Sequence, residues 1–524
     1  MSIHYNTFNF ENGIRLIYLP RKDNNISSIS VFCEVGSINE IEKSKGMSHF
    51  LEHMLFKGTT KRPNPTSISG ELDQMGAYFN AYTGQELTSY IVKVNSDFIE
   101  DSIHILADML LNSKLDKNDI KMEKEVVIEE INKGYDQPSR EVIENAYEIM
   151  FRGNVLKHRI GSDEEHISKY TRKDVFEYYK KFYVSNNIIL SIVSNIPFKD
   201  IIKYVNKSDF HKFKPNINLK QNPTKLPLQK QPRFKVVHKT LEQVHLIVGF
   251  PTESMYSNDR FALDMLKIIL AGNMSSRLFV DLRENNGLSY NVSMDIYYHK
   301  TCGGIFIQTS LNKDSLIIKN QSNLNNNNIL DKFKKGEFTP GGLPIILENL
   351  KRLKHTLVSE EELNKAKGYI KGSFILEIEN SHSVSDYFGQ QLLFRHNPIE
   401  NIGYLTDKYD KITSKQIMEM SQKYFDFEKL NISIIGEYVE NDIKEFIHKY
   451  CFEDTLDTTE SPTLSKGYID QGLTLDEMDL AVTPTIHPVP SPPLPSPLAS
   501  PAAGGGWFNT LFLRDNDVVV STAI

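Results

Sequence analysis

Two histidines and a glutamate fall within five residues in the run SHFLEHMLF, residues 48–56. On a helix at about 100° per residue, His49 and His53 stand one turn apart and about 40° around the axis, with Glu52 about 60° to the other side of His49. All three share one face. Phe50, Leu51, Met54, Leu55 and Phe56 make the rest of the turn apolar, so the helix is expected to be buried. Two imidazoles and a carboxylate in such a place cost several kcal/mol each (on the order of the transfer penalty for a polar group) unless something compensates them. A lone buried histidine is ordinarily a satisfied core residue. His-x-x-Glu-His on an apolar helix points instead to a metal, with two imidazole ligands and a neighbouring carboxylate free to act as a base.

A hydrolytic zinc takes three protein ligands and leaves one position open. The third ligand must come from another element. The best source is the helical run DIKMEKEVVIEEINKG, residues 119–134, for which Asp116 is a suitable N-cap. Ile120, Val127 and Ile131 define its apolar centre and Val126 its margin. Glu123 and Glu130, seven apart, nearly superpose and lie between Val126 and Val127. Glu125 and Glu129 fall on the side expected to be solvated. The carboxylates turned toward the core are therefore Glu123 and Glu130.

The elements around these helices repeat. Asn12-Gly13 separates TFNFE from IRLIYLP as a hairpin turn. ISSISVFCEVG reads as a strand, GAYFNAYTGQELTSYIVKV (76–94) as paired strands, and about 97–113 and 116–134 as helices. Residues 213–235 are polar, punctuated by proline and without apolar period, as a linker would be. After them the order recurs: VHLIVGF, the helix FALDMLKIILAG, the strands LSYNVSMDIYYHK and GGIFIQTSL, then helices over 343–358 and 359–376. The fold class expected is α+β, with two similar α/β-sandwich domains at 1–212 and 236–455. An Asn-rich insertion at 320–342 reads as a surface loop. From 456 to 524 the composition shifts. Residues 484–501 hold eight prolines in 18 positions, too little apolar surface to offset ordering, so a disordered tail is expected. Its PxxP-like runs are of the kind that bind a partner in polyproline II form.

The bulk composition closes off other classes. At 40% hydrophobic and 24% charged residues, most of the 524-residue chain should bury a core. A net charge of −7 without any basic stripe argues against nucleic acid, and weakly favours cationic substrates. Cys33, Cys302 and Cys451 form no paired spacing. That argues against a disulfide framework and for a cytoplasmic or other reducing compartment. The N-terminal MSIHYNTFNF shows neither a signal nor a transit peptide. No apolar run approaches the roughly 18 residues of a membrane span.

HFLEH, with Glu130 77 residues beyond His53 and Glu123 seven before it, resembles the pitrilysin (M16) family of zinc metallopeptidases, the inverzincins. The family includes insulin-degrading enzyme and the mitochondrial processing peptidase. The resemblance runs over about 1–455 and is nearest to the short, two-domain members: bacterial M16 peptidases and the β-type processing-peptidase subunit. It implies a clamshell of two domains and one Zn2+ per chain, held by His49, His53 and Glu130. Glu52 would be the general base that activates water for peptide-bond hydrolysis, and Glu123 would support a ligand from behind. GAYFNAYT resembles the family's substrate-lining edge strand, with Asn80 and Ala81 on the peptide backbone. SSRLFVDLRENNGLSYNV (275–292) resembles the second-domain signature whose Arg and Tyr, here Arg283 and Tyr290, reach the substrate and the reacting carbonyl. The activity implied is that of a zinc metalloendopeptidase (EC 3.4.24.-), with a peptide substrate and a homodimer or a heterodimer with a related subunit as the assembly. The alternative is a non-catalytic partner or scaffold subunit of an M16-type heterodimer that has kept the motif.

Overall fold

The computed structural model of the chain describes residues 3–219, 225–321, 338–395, 398–453 and 519–520. The centre of the expected linker, most of the Asn-rich insertion (322–337) and nearly all of the expected tail lie outside the described residues.

The first half builds one sheet from β1 (Asn6–Asn9), β2 (Arg15–Pro20), β3 (Ile26–Cys33), β4 (Tyr78–Thr83), β5 (Thr88–Asn95) and β6 (Ile188–Ser194). The second half builds another from β7 (Arg233–His238), β8 (Gln243–Thr252), β9 (Ser289–Tyr298), β10 (Gly303–Asn312) and β11 (Asn431–Gly436). The strand order is β1-β2-β6-β3-β5-β4 in the first and β7-β11-β8-β10-β9 in the second. β2 runs parallel to β6 as β7 does to β11, and every other pair is antiparallel. Leaving out β1, the two sheets share one topology, so the repeated order of strand and helix signals in the sequence is a repeat of the fold. β12 (Val519–Val520) lies antiparallel on the outer edge of β4, opposite Thr83 and Tyr82.

The helices that matter for the site follow β3 and β5: α1 (Met47–Leu55), α2 (Pro65–Gln74), α3 (Ile99–Asn112), α4 (Lys117–Tyr135) and α5 (Pro138–Met150). Asp116 caps α4, its side chain accepting from Asn118 N at 2.8 Å. β2, β3, β5 and β6 are buried on both faces, which fits their near-continuous apolar runs. One face of the first sheet packs on α1, α3 and α4.

The other face is covered from the second half. The helix Ser381–Leu393 lies across β3 and β6, and its Ser385 hydroxyl donates to Ser191 O and Ser30 Oγ, both at 3.0 Å. Gly389 permits that approach, because a Cβ there would stand 2.3 Å from the Phe32 ring. In return α5, from the first half, packs on β8 and β11, and Arg233 donates to the Ile149 and Met150 carbonyls at its C-terminus. Each half thus lends a helix to the other's sheet. All three cysteines are free. No helix among the described residues is long and apolar enough to cross a membrane.

Candidate metal centre

α1 starts at Gly46, whose φ of +81° is a left-handed conformation. A Cβ at this position would meet Ser162 Cβ at 2.7 Å and Gly161 O at 2.8 Å. Glu40, buried, caps the helix from upstream: its two carboxylate oxygens accept from Gly46 N (2.7 Å) and Ser48 N (2.9 Å). Burial pushes the Glu40 carboxyl up to about 7, with the Ser48 and Gly46 amides opposing that rise. Gly46→Ala should therefore cost about 1–3 kcal/mol, as a strained left-handed residue does, and urea denaturation should register it as a lower midpoint. An unchanged midpoint would show that the start of α1 can shift at little cost.

From this fixed start all nine residues of α1 are buried, His49, Glu52 and His53 included. α4 crosses it with Glu123 buried and Glu130 half-buried, while Glu125 and Glu129 are exposed. The helical phase read from the sequence thus holds for all four glutamates. Val126, placed at the apolar margin, is 49% exposed; the buried stripe of α4 is narrower there and runs through Ile120, Glu123 and Val127.

Three donor atoms converge. His53 Nε2 stands 3.2 Å from His49 Nε2 and 3.3 Å from Glu130 Oε2, and His49 Nε2 stands 3.7 Å from the same oxygen. These are near the edges, about 3.4 Å, of a tetrahedron whose centre lies about 2.0–2.1 Å from each vertex, the Zn–N and Zn–O bond length. Two imidazole nitrogens and one carboxylate oxygen form a hydrolytic zinc donor set, and they are the group among the described residues able to hold a metal. The residues fit the ion.

Behind them, His53 Nδ1 meets Glu123 Oε1 at 2.8 Å, and the other Glu123 oxygen accepts from Lys57 Nζ at 2.5 Å. A proton on Nδ1 directed at Glu123 leaves Nε2 with its lone pair toward the centre. Burial alone raises the Glu123 carboxyl, but the hydrogen bonds from His53 and Lys57 outweigh it and hold the group below the usual carboxylate range. At His53, burial disfavours the charged imidazole. The carboxylates of Glu123, Glu130 and Glu52 overcome it and raise the ring to about 9. The field at this point therefore calls for a cation, proton or metal. His49, buried beside His53, is lowered to about 3.

Glu52 faces the same space from the side. One of its oxygens accepts from Thr83 Oγ1 at 2.5 Å, and the other is buried with no hydrogen-bond partner among the described residues. Burial pushes its carboxyl up to about 8, a value suited to exchanging protons near neutrality. Thr83 ends β4, so the edge strand and the base are linked by one hydrogen bond.

The remaining expected residues lie elsewhere. Asn80 and Ala81 sit in β4, and Asn80 Oδ1 accepts the Ala81 N–H at 2.9 Å. Arg283 and Tyr290 come together on the second half. The Arg283 guanidinium lies over the Tyr290 ring at 4.7 Å, and Tyr290 is 77% exposed near the start of β9, the strand that corresponds to β4. No contact among the described residues joins this pair to the donor group. Sequence reasoning did not single out Glu40, Lys57 or Thr83. Thr83 stood within the GAYFNAYT run, and strand alternation put it on the face of Ala81, but nothing in the sequence said that this face meets Glu52.

Comparison with known proteins agrees with this geometry. Residues 16–164 match the family described as Insulinase (Peptidase family M16), and residues 169–369 match the Peptidase M16 inactive domain. The donor residues all lie in the first match. An "Uncharacterized zinc protease" of Rickettsia felis is 29% identical over 74% of this chain and 88% of its own length. The mitochondrial-processing peptidase subunit beta of Saccharomyces cerevisiae is 26% identical over 79% of this chain and 87% of its own. The crystal structure of a protease from Helicobacter pylori superposes with a TM-score of 0.73 at 20% identity, covering 83% of this chain and all of that one. With both M16 domains matched in sequence order and the His-His-Glu group in the first of them, this chain belongs to the M16 family of zinc proteases.

Proposed function

We propose that the chain is a zinc-dependent metalloendopeptidase that hydrolyses peptide bonds in peptides or unfolded segments. The observation that carries this reading is the trio of donor–donor distances, 3.2, 3.3 and 3.7 Å, in a buried site with an uncommitted carboxylate oxygen beside it. His49, His53 and Glu130 would hold the ion, which when bound supplies Lewis-acid polarisation and makes water acidic near neutral pH. Glu52 takes a proton from the attacking water and passes it to the leaving amine, with Thr83 fixing the carboxylate's orientation. Glu123 and Lys57 hold His53 in the tautomer that donates its lone pair.

An extended peptide would add to the outer edge of β4 at Asn80 and Ala81, by backbone pairing. The lie of Val519–Val520 antiparallel on that edge supports its capacity to take a strand. The assembly expected is a pair, of two copies or of this chain with a related subunit, and the three free cysteines suit a reducing compartment. The test is a zinc determination paired with cleavage of an internally quenched peptide. One zinc per chain with no cleavage of any peptide would favour a non-catalytic subunit.

Arg283 and Tyr290 would serve as donors to the peptide or its developing oxyanion. Tyr290 is an exposed strand aromatic with the Arg283 guanidinium over its ring, which suits a residue that waits for a ligand. Tyr290→Phe should lower kcat/KM by about 10²-fold, the worth of one donor aimed at a developing charge. Zinc content and melting temperature should stay as they were, since an exposed ring has little packing to lose. Unchanged kinetics would remove Tyr290 from the site.

A further inference from the structure

The wall of the metal centre away from Glu52 is cationic. His49 and Glu130 border a narrow cleft of about 30 Å3 that is also lined by Arg140, Glu144, Arg159 and Ser162. Arg159 and Ser162 also line a second cavity, of about 350 Å3, walled further by Lys45, Arg152, Lys157 and His158. The carboxylates there are mostly committed elsewhere. Glu148 holds Lys235 at 2.5 Å, and Asp163 holds His166 at 2.7 Å while capping the helix Glu164–Lys169. Lys45 is paired with Glu42 at 2.7 Å. Among the described residues, Arg140, Arg152, Lys157 and Arg159 form no ion pair with a carboxylate. Glu144, which faces Arg140 and Arg159, and Glu130, beside Arg140, are the acids of the cleft that offset them, and the Glu144 carboxyl is raised by burial against the arginines' pull. Arg159 is braced by stacking on the Tyr135 ring at 4.3 Å, which leaves its fork of donors free. In a chain of net charge −7, two such cations in the cleft with the donor group, and two more in the cavity next to it, are a local reversal of sign.

Cations held around a cavity without a direct ion-pair partner attract an anion, and a guanidinium fork matches a carboxylate in shape as well as charge. We propose that this cavity is a subsite that selects an acidic side chain, Asp or Glu, on the peptide near the bond to be cut. Arg159 and Arg140 are specificity-determining residues on its inner wall, and Lys157 and Arg152 on its outer one. The weak preference for cationic substrates suggested by net charge is thus reversed at the site itself. The inference rests on the peptidase reading for the identity of the ligand.

The test uses zinc-loaded full-length Glu52→Gln, in which binding is read without turnover, and fluorescent peptides identical except for Glu, Gln or Lys at one position, moved stepwise along the sequence. At one position Glu should bind about 10-fold more tightly than Gln, as a charge-assisted contact does, and Lys should bind least. Higher salt should shrink the ratio. Adding Arg159→Gln or Arg140→Gln should bring Glu and Gln close to equality, and Lys157→Gln, at the cavity's outer wall, should reduce the ratio in part. A Glu-to-Gln ratio near one at every position would overturn the subsite, as would a ratio that survives the Arg159, Arg140 and Lys157 substitutions alike. The two readings separate in the wild-type chain. Cleavage without acidic preference sinks the subsite and leaves the peptidase. Acidic preference in binding without cleavage sinks the peptidase and leaves the subsite.

Discussion

Glu52→Gln should retain its zinc and lose peptide hydrolysis by about 10²–10⁴-fold in kcat, the range that a positioned general base contributes. The separation of the two effects follows from geometry. Glu52 is not among the three converging donors, so its exchange leaves their spacing in place. The amide oxygen can still accept from Thr83, which keeps the side chain's position. What the amide lacks is a basic oxygen, and the buried carboxylate oxygen with no partner is the atom that would take the proton. Gln is a neutral isostere of the carboxyl, so burying it in the same place adds no large desolvation penalty. The melting temperature should move by no more than a few degrees. The measurement is zinc content by elemental analysis beside steady-state kinetics on one quenched peptide. Zinc loss in this variant would make Glu52 a ligand, and retained turnover would put the base elsewhere.

Much of this was readable in the chain, and the parts that were not share a physical cause. Helical period fixes which side chains share a face, so His49, Glu52 and His53 could be grouped, and Glu123 and Glu130 separated from Glu125 and Glu129, before any coordinates. Strand signals and the Asn12-Gly13 turn gave two of the first sheet's pairs, β1 with β2 and β4 with β5, for the same reason: their information is local, whereas β3 with β5 and the two pairs of β6 join distant segments. The capping of α1 by Glu40 was not legible, because Glu40 lies in irregular chain six and eight residues before its partners, where no period applies. Lys57 could not be assigned to Glu123, since a cation just past a helix end is ordinarily a solvated one. The exchange of helices between halves was hidden for a different reason. α5 and the helix Ser381–Leu393 each present an apolar face, and an apolar face does not say which sheet it will cover. Small groups at the contact, Ser385, Gly389 and Ser191, are what make the close fit, and they are inconspicuous in a sequence. Arg283 and Tyr290 were expected as a pair and are found as one, but what they approach depends on the relation of two sheets, which no local pattern encodes.

The second large effect is on metal affinity, and a graded series tests it most sharply. Glu130→Gln replaces a donor oxygen that stands 3.3 and 3.7 Å from the two imidazoles by a neutral amide. It should weaken zinc binding by more than the roughly 100-fold that a supporting partner can be worth, and activity should fall with it to background unless zinc is supplied in excess. Glu123→Gln should lie between. It keeps a hydrogen bond to His53 Nδ1 but removes the charge that biases the imidazole's tautomer, so a loss of about 10–100-fold in affinity is expected. Glu129→Gln should do nothing measurable, because Glu129 is adjacent in sequence yet exposed on the far side of α4. Competition with a chromophoric chelator gives all three constants on one scale. The order Glu130, Glu123, Glu129 is demanded by helix phase and by the contacts together. Damage from Glu129→Gln with Glu130→Gln harmless would mean that α4 is rotated by one residue, about 100°, and would carry the His53–Glu123 contact away with it. Equal losses at Glu123 and Glu130 would mean instead that His53's orientation, and not the third donor, limits how tightly the site holds its ion.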